Sequence, residues 1–152
     1  MDREKLKEKV LGLVPGLQSE ETRDFTAVTV AADNLHALAL QLKNDPDLLF
    51  DSLLCLSGVD WGKELGVVYL FESTKQKHML EVKVKTTDRE KPCFDTLSDI
   101  WSGAILHEME VFDLFGIFFK GHPDMRRIFL AEDWVGYPLR KDYVDEVNIV
   151  EL

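Results

Sequence analysis

The run Ala104-Ile105-Leu106-His107-Glu108-Met109-Glu110-Val111-Phe112-Asp113-Leu114-Phe115 constrains the fold of this chain more than any other segment. It lies between Gly103 and Gly116, which reads as a helix with a glycine stop. Placed about 100° apart, Ile105, Met109 and Phe112 share one face, while Val111, Leu114 and Phe115 spread apolar surface over much of the rest. A helix apolar nearly all round has to be covered on both sides, and in a domain this small the second cover is expected to be another protein. Three acids ride on the same helix. Glu110 and Asp113 are i,i+3 neighbours and Glu108 points nearly opposite. An unpaired buried charge costs several kcal/mol (roughly), so these acids call for positive or hydrogen-bonding partners.

The chain has 152 residues, 45% of them apolar, enough for one core without disulfide or metal staples. Eighteen lysines and arginines face 28 acids, a formal charge of −10, which is the wrong sign for a surface that tracks phosphates. General nucleic-acid binding is thereby excluded. Cys55 and Cys93 lack CxxC spacing. They are too few for an iron–sulfur cluster, which needs about four thiolates, and no zinc-finger pattern exists. Two reduced, mostly buried cysteines are expected. The charged start Met1-Asp2-Arg3-Glu4-Lys5-Leu6-Lys7 leads into no apolar h-region, so no secretory signal is expected. The densest apolar stretch, residues 111 to 119, carries Asp113 and is less than half of the roughly 20 residues that cross a bilayer. Membrane association is therefore expected only through partners.

Periodicity supplies the layout. Leu6, Val10, Leu13 and Val14 recur at helical spacing behind Asp2, a candidate N-cap, until Pro15-Gly16. Residues 25 to 30 read as a strand. Asp33 or Asn34 then caps a helix whose Leu35, Leu38, Ala39 and Leu42 form one stripe, ended near Pro46. Residues 53 to 60, 66 to 71 and 80 to 84 predict three strands joined by short turns. In the last of these Leu80, Val82 and Val84 alternate with Glu81, Lys83 and Lys85, the pattern of a sheet with one wet face. Phe94, Leu97, Ile100 and Trp101 recur at three- and four-residue steps and predict a further helix, so helices cover one side of the sheet. From Lys120 onwards Gly121, Pro123, Gly136 and Pro138 break any period. The expected fold class is α+β: a small mixed or antiparallel sheet covered by helices, with an irregular Gly/Pro- and Arg-rich C-terminal segment. Residues 1 to 119 form the α+β domain in this reading, and residues 120 to 152 form a partner-docking segment packed on it.

Lys120, Arg126, Arg127, Arg140 and Lys141 are the candidate partners for the acids of the 104–115 helix. They read either as ordinary solvated charges or as planar forks that clamp carboxylates, some within the domain and some on a neighbour. His107-Glu108-Met109-Glu110-Val111 resembles a HExxH zinc site, but Val111 stands where the second histidine must sit. A mixed site from His107, Glu108, Glu110 and His122 is the residual possibility for a metal-dependent hydrolase. No GxSxG, GxxxxGK[ST] or GxGxxG motif occurs.

Three blocks carry a family resemblance: Glu108-Met109-Glu110-Val111-Phe112-Asp113-Leu114-Phe115-Gly116-Ile117, then Gly121-His122-Pro123-Asp124-Met125-Arg126-Arg127-Ile128, then Gly136-Tyr137-Pro138-Leu139-Arg140-Lys141-Asp142-Tyr143. In order and spacing they resemble the signature of the 30 kDa subunit of respiratory complex I, the NADH-quinone oxidoreductase, whose relatives also occur in energy-converting membrane-bound hydrogenases. Met109 and Tyr137 depart from it, standing where many relatives have arginine and histidine. The resemblance implies a peripheral-arm subunit without catalytic residue, metal or redox cofactor, on the cytoplasmic side of the cell membrane. Its implied neighbours are the large quinone-site (49 kDa-like) subunit and the cluster-bearing subunits. The motif positions Glu108, Glu110, Asp113, Phe115, Gly116, Gly121, His122, Pro123, Asp124, Arg126, Arg127, Gly136, Pro138, Leu139, Arg140, Lys141 and Asp142 then become candidates for contact between subunits. On this view the arginines and Lys141 pair with acids around the Gly and Pro turns. The sequence ends soon after Asp142, so no longer partner-wrapping tail is expected. The equivalent subunit of an energy-converting hydrogenase, or of a related complex fed by another donor, is the nearer alternative.

Overall fold

The computed structural model describes residues 1 to 145, so residues 146 to 152 of the expected C-terminal segment lie outside the described residues. Helix α1 (Arg3–Leu11) starts where Asp2 accepts the Lys5 N–H at 2.9 Å. It ends at Gly12, earlier than Pro15 suggests, yet Val14 is still buried in the core. Strand β1 (Gln18–Glu21) pairs antiparallel with β2 (Thr26–Val30). Sequence periodicity misses β1 because its four residues are polar; its pairing rests on β2 and on Glu20, which receives Lys83 Nζ at 2.6 Å and the Thr29 hydroxyl at 2.9 Å. A 3-10 turn, Ala32–Asn34, leads into α2 (Leu35–Asn44). The expected stripe Leu35, Leu38, Ala39 and Leu42 is its buried face, although Asn34 makes no side-chain cap.

Strands β3 (Ser52–Asp60), β4 (Leu65–Ser73) and β5 (His78–Thr86) form the expected antiparallel meander, and β5 also pairs parallel with β2. The sheet is therefore mixed, in the order β1-β2-β5-β4-β3. The register aligns Val28, Val82, Tyr69 and Leu56 across one face, and all four are buried. Its opposite face carries Thr29, Lys83 and Glu81.

Two expectations fail. Phe94, Leu97, Ile100 and Trp101 are all buried, but β6 (Cys93–Asp95) and a chain of turns hold them, not a helix. The Ile100 and Trp101 N–H groups both reach back to the Leu97 carbonyl, and β6 pairs parallel with β7 (Phe118–Lys120). Successive turns and a short strand reproduce the three- and four-residue spacing of a helix. The cysteines are free, as expected, but both are exposed.

Helix α3 (Ala104–Phe115) has the bounds that its flanking glycines announce, and Gly116 closes it in the left-handed conformation with φ 73°. Its polarity is partly inverted: Glu108 and Asp113 are completely buried while Leu106 is 67% exposed.

Candidate functional site

Past β7 the chain runs as a strap over α3 and back to the sheet, fastened by three polar ties. The first is Asp113. Its carboxylate receives the N–H groups of Ile128, Phe129 and Leu130 at 3.2, 2.7 and 3.1 Å, and Arg127 Nη1 at 3.0 Å. Arg127 also donates to the carbonyls of Asp113, Trp134 and Gly136 at 2.8, 3.1 and 2.9 Å, and its guanidinium lies 4.9 Å from the Tyr137 ring centre. Burial pushes the Asp113 carboxyl upward in pKa, but the three N–H groups and Arg127 outweigh it and leave the group below the ordinary aspartate value. The motif arginine thus serves an acid of its own domain, one of the two roles the sequence leaves open.

The second tie is the end of α3. Arg140 donates to the carbonyls of Phe115 and Arg89, the latter at 2.7 Å, and the Leu139 N–H reaches the Leu114 carbonyl at 3.0 Å. The resemblance implies acids as partners for Arg140; it meets carbonyls, because the C-terminal end of a helix leaves C=O groups without intrahelical donors. Tyr137 packs directly over Gly116, where an added Cβ would lie 2.6 Å from the ring. This side chain is therefore part of the strap's seat.

The third tie escapes sequence reasoning. Asp60, at the end of β3, accepts both arms of Arg89 at 2.8 and 2.7 Å and the N–H groups of Gly62 and Lys141 at 2.8 and 2.9 Å. Asp142 adds a contact of 3.4 Å to the same guanidinium. The Arg89 hydrogen bonds hold Asp60 far below the usual carboxylate range against the opposing effect of burial. Asp60 and Arg89 are 29 residues apart and belong to no recognisable motif; the one local signal is Asp60-Trp61-Gly62, an Asx-type turn.

The remaining motif residues divide. Glu108 accepts the Thr96 hydroxyl at 2.6 Å and the Leu97 N–H at 2.8 Å, and His122 Nε2 stands 3.9 Å away. Burial pushes this carboxyl above its ordinary value, since its hydrogen-bond donors are neutral. His122 donates from Nε2 to the Ile105 carbonyl at 2.9 Å and accepts the Asp124 N–H on Nδ1 at 3.0 Å. Glu108 and His122 do meet, but both have hydrogen-bond partners, and among the described residues no group of three or more His, Cys, Asp or Glu is placed to hold a metal ion. Gly121 and Gly136 have φ of 86° and 89°, as their turns require. Pro123, Asp124 and Arg126 lie on the surface, where Arg126 Nε reaches only Asp124 at 2.8 Å. Lys141 contributes its backbone to the Asp60 tie while its side chain stays outside.

What the strap leaves outward is apolar. Phe129, Val135, Leu139 and Val144 are 66, 88, 54 and 77% exposed, and Leu106 and Phe118 add to this surface area. Beside Leu139 a cleft of about 230 Å³ opens between β3 and α3, with Glu110 on its wall. No helix among the described residues is long and apolar enough to cross a membrane.

Comparison with known proteins matches residues 28 to 147 to the family described as the respiratory-chain NADH dehydrogenase 30 Kd subunit. The C/D fusion subunit of the NADH-quinone oxidoreductase of Phocaeicola vulgatus is 50% identical over 80% of this chain and 23% of its own length. The C-type subunit of the same enzyme from Chloroherpeton thalassium is 46% identical over 93% of this chain and 60% of its own, and that of Chlorobium phaeobacteroides 40% identical over 91% and 84%. The chain thus spans less than two thirds of the length of the first two of these relatives. Among solved structures, a chain of the membrane-bound sulfane sulfur reductase, an archaeal respiratory membrane complex, superposes with a TM-score of 0.79 at 27% identity, covering 95% of this chain and 86% of the other.

Proposed function

The chain belongs to the family of the 30 kDa subunit of respiratory-chain NADH dehydrogenase, and from that membership we propose that it is a non-catalytic scaffold in an NADH-quinone oxidoreductase. Its work is to position the cluster-bearing and quinone-site subunits for electron transfer coupled to ion translocation. The observation that carries this reading is the strap: internal ties hold its backbone rigidly while it presents Phe129, Val135, Leu139 and Val144 to the outside. A preordered apolar surface loses little entropy on docking, and exposed apolar surface of this kind marks contact with other proteins.

The first partner in this proposal is the large quinone-site subunit. In Phocaeicola vulgatus the matching stretch is 23% of a protein named for two subunits, C and D, so there the two share one chain. Attachment is peripheral, on the cytoplasmic side of the membrane, through that large subunit and the cluster-bearing ones. Identity of 40 to 50% with NADH-quinone oxidoreductase subunits, against 27% with the sulfane sulfur reductase chain, favours the NADH branch over a complex fed by another donor.

Gentle detergent extraction of the tagged chain from its native membranes, followed by mass spectrometry and an assay of NADH-dependent quinone reduction, tests this function. The expected result is recovery of cluster-bearing and membrane subunits with that activity. Recovery of hydrogenase activity would move the chain to the sister branch, and a chain recovered alone would refute the scaffold.

A further inference from the structure

The two edges of the main sheet are protected very differently. At one edge β1 is four residues long and carries Glu20 and Glu21, the short and charged form that discourages pairing. At the other edge β3 runs for nine residues and carries no charge until Asp60 at its end. Among the described residues nothing pairs with its outer side. Leu54 and Cys55, at the register shift between Leu53 and Cys55, are exposed.

The cleft beside α3 follows the same edge. It touches Leu56, Ser57 and Gly58 in succession. Leu56 and Gly58 belong to the core side of the strand and Ser57 to the other, so a cavity reaching all three reaches the strand's free backbone. Gly58 keeps this part of the edge low: a Cβ there would lie 2.5 Å from the Phe115 ring. The opposite wall is apolar, with Val111, Leu114 and Leu139, except for Glu110. The volume of about 230 Å³ is small for a ligand pocket but suits one or two side chains.

We infer that β3 is a strand-addition site: an extended segment of the large quinone-site subunit pairs with its free edge, places apolar side chains against Leu114 and Leu139, and sets a lysine or arginine on Glu110. The inference rests on the scaffold function proposed above. Main-chain pairing supplies affinity, and the cleft selects by an alternate apolar residue and a neighbouring cation. Glu110 is the complementary charge for that cation, since none of the ties that hold Asp113, Asp60 and Glu108 involves it.

Amide hydrogen exchange by mass spectrometry on the free chain and on the purified complex tests this directly. In the free chain the amides of residues 53 to 58 that point away from β4 exchange rapidly. In the complex they slow by about tenfold or more, as for newly paired backbone. Ser57→Lys, an edge-blocking change at an exposed position, and Glu110→Lys, which reverses the cleft charge, each reduce that protection several-fold while the free chains keep wild-type melting curves. A complex that forms with full activity but leaves these amides as fast as in the free chain overturns strand addition and leaves the scaffold function standing. Protection that grows with concentration of the free chain alone shows a second copy as the occupant and overturns it as well. Failure of the wild-type chain to co-purify with any other protein of the complex defeats the scaffold function, and strand addition with it.

Discussion

Glu108 and Asp113 sit five positions apart on α3, both completely buried, and the protein treats them in opposite ways. Asp113 meets a guanidinium and three backbone N–H groups, all from the strap, and is held ionised. Glu108 meets a hydroxyl and one N–H from the turn after β6, and burial moves it toward the neutral acid. Equal burial therefore carries no fixed electrostatic meaning; the donors around a carboxylate decide whether it acts as an anchor for charge or as an uncharged hydrogen-bonding group. The strap uses the first kind and the α+β body uses the second.

The sharpest way to break this comparison is Asp113→Ala, which strands Arg127 and three N–H groups. The expected loss is about 3–5 kcal/mol, read as a melting temperature lower by about 10 °C and as early proteolysis within residues 120 to 145. Arg127→Lys keeps the charge but cannot span Asp113, Trp134 and Gly136 together, and is expected to cost about 2 kcal/mol by denaturant titration. Glu108→Gln is expected to cost about 1 kcal/mol or less near pH 5.

The pH dependence separates the two acids by sign. The Glu108 pKa is raised in the folded protein, so its contribution is intact below 4.5 and is lost as pH rises from there through the folded value. Glu108→Gln should remove that decline. The Asp113 pKa is lowered, so its contribution is intact above 3.8 and is lost as pH falls through the folded value. Urea titrations of both variants across pH 3 to 8 (about that span) would read the two slopes, and slopes of the same sign would end the distinction. The smallest stability effect belongs to Arg126→Ala, within about 0.5 kcal/mol for an exposed side chain. Its expected defect is a lower yield of assembled complex. Arg140→Ala, by contrast, should destabilise the isolated chain because Arg140 closes the end of α3.

The parts legible in the sequence are those where one local force dominates. The bounds of α3 follow from Gly103 and Gly116, the α2 face from four apolar residues at helical spacing, and the meander from alternation around Val82. Residues 93 to 103 mislead because spacing records which side chains are buried, not which backbone groups bond; the Leu97 N–H goes to Glu108, where a helix would send it back along its own chain. Strand β1 is invisible because its pairing partner, not its own residues, makes it a strand. Within the site, the motif blocks announce Asp113 and Arg127 together. Asp60 and Arg89 join distant loops through one bidentate pair, and no periodicity reports a contact of that kind.

The Asp113 tie also sets an order of events during synthesis. The acid emerges with α3, but Arg127 and the N–H groups that satisfy it follow 14 to 17 residues later, and the Lys141 N–H reaches Asp60 only after a further stretch of chain. Domains fold from the N-terminal end as they leave the ribosome, so the sheet and α3 can collapse while one interior anion still lacks its cation. Until Leu130 is available, that anion must stay hydrated or take up a proton, and α3 cannot settle fully into place. The last stretch of the strap thus completes the interior of a domain already largely built, and a nascent chain halted before residue 127 would carry its hydrophobic helix unsealed.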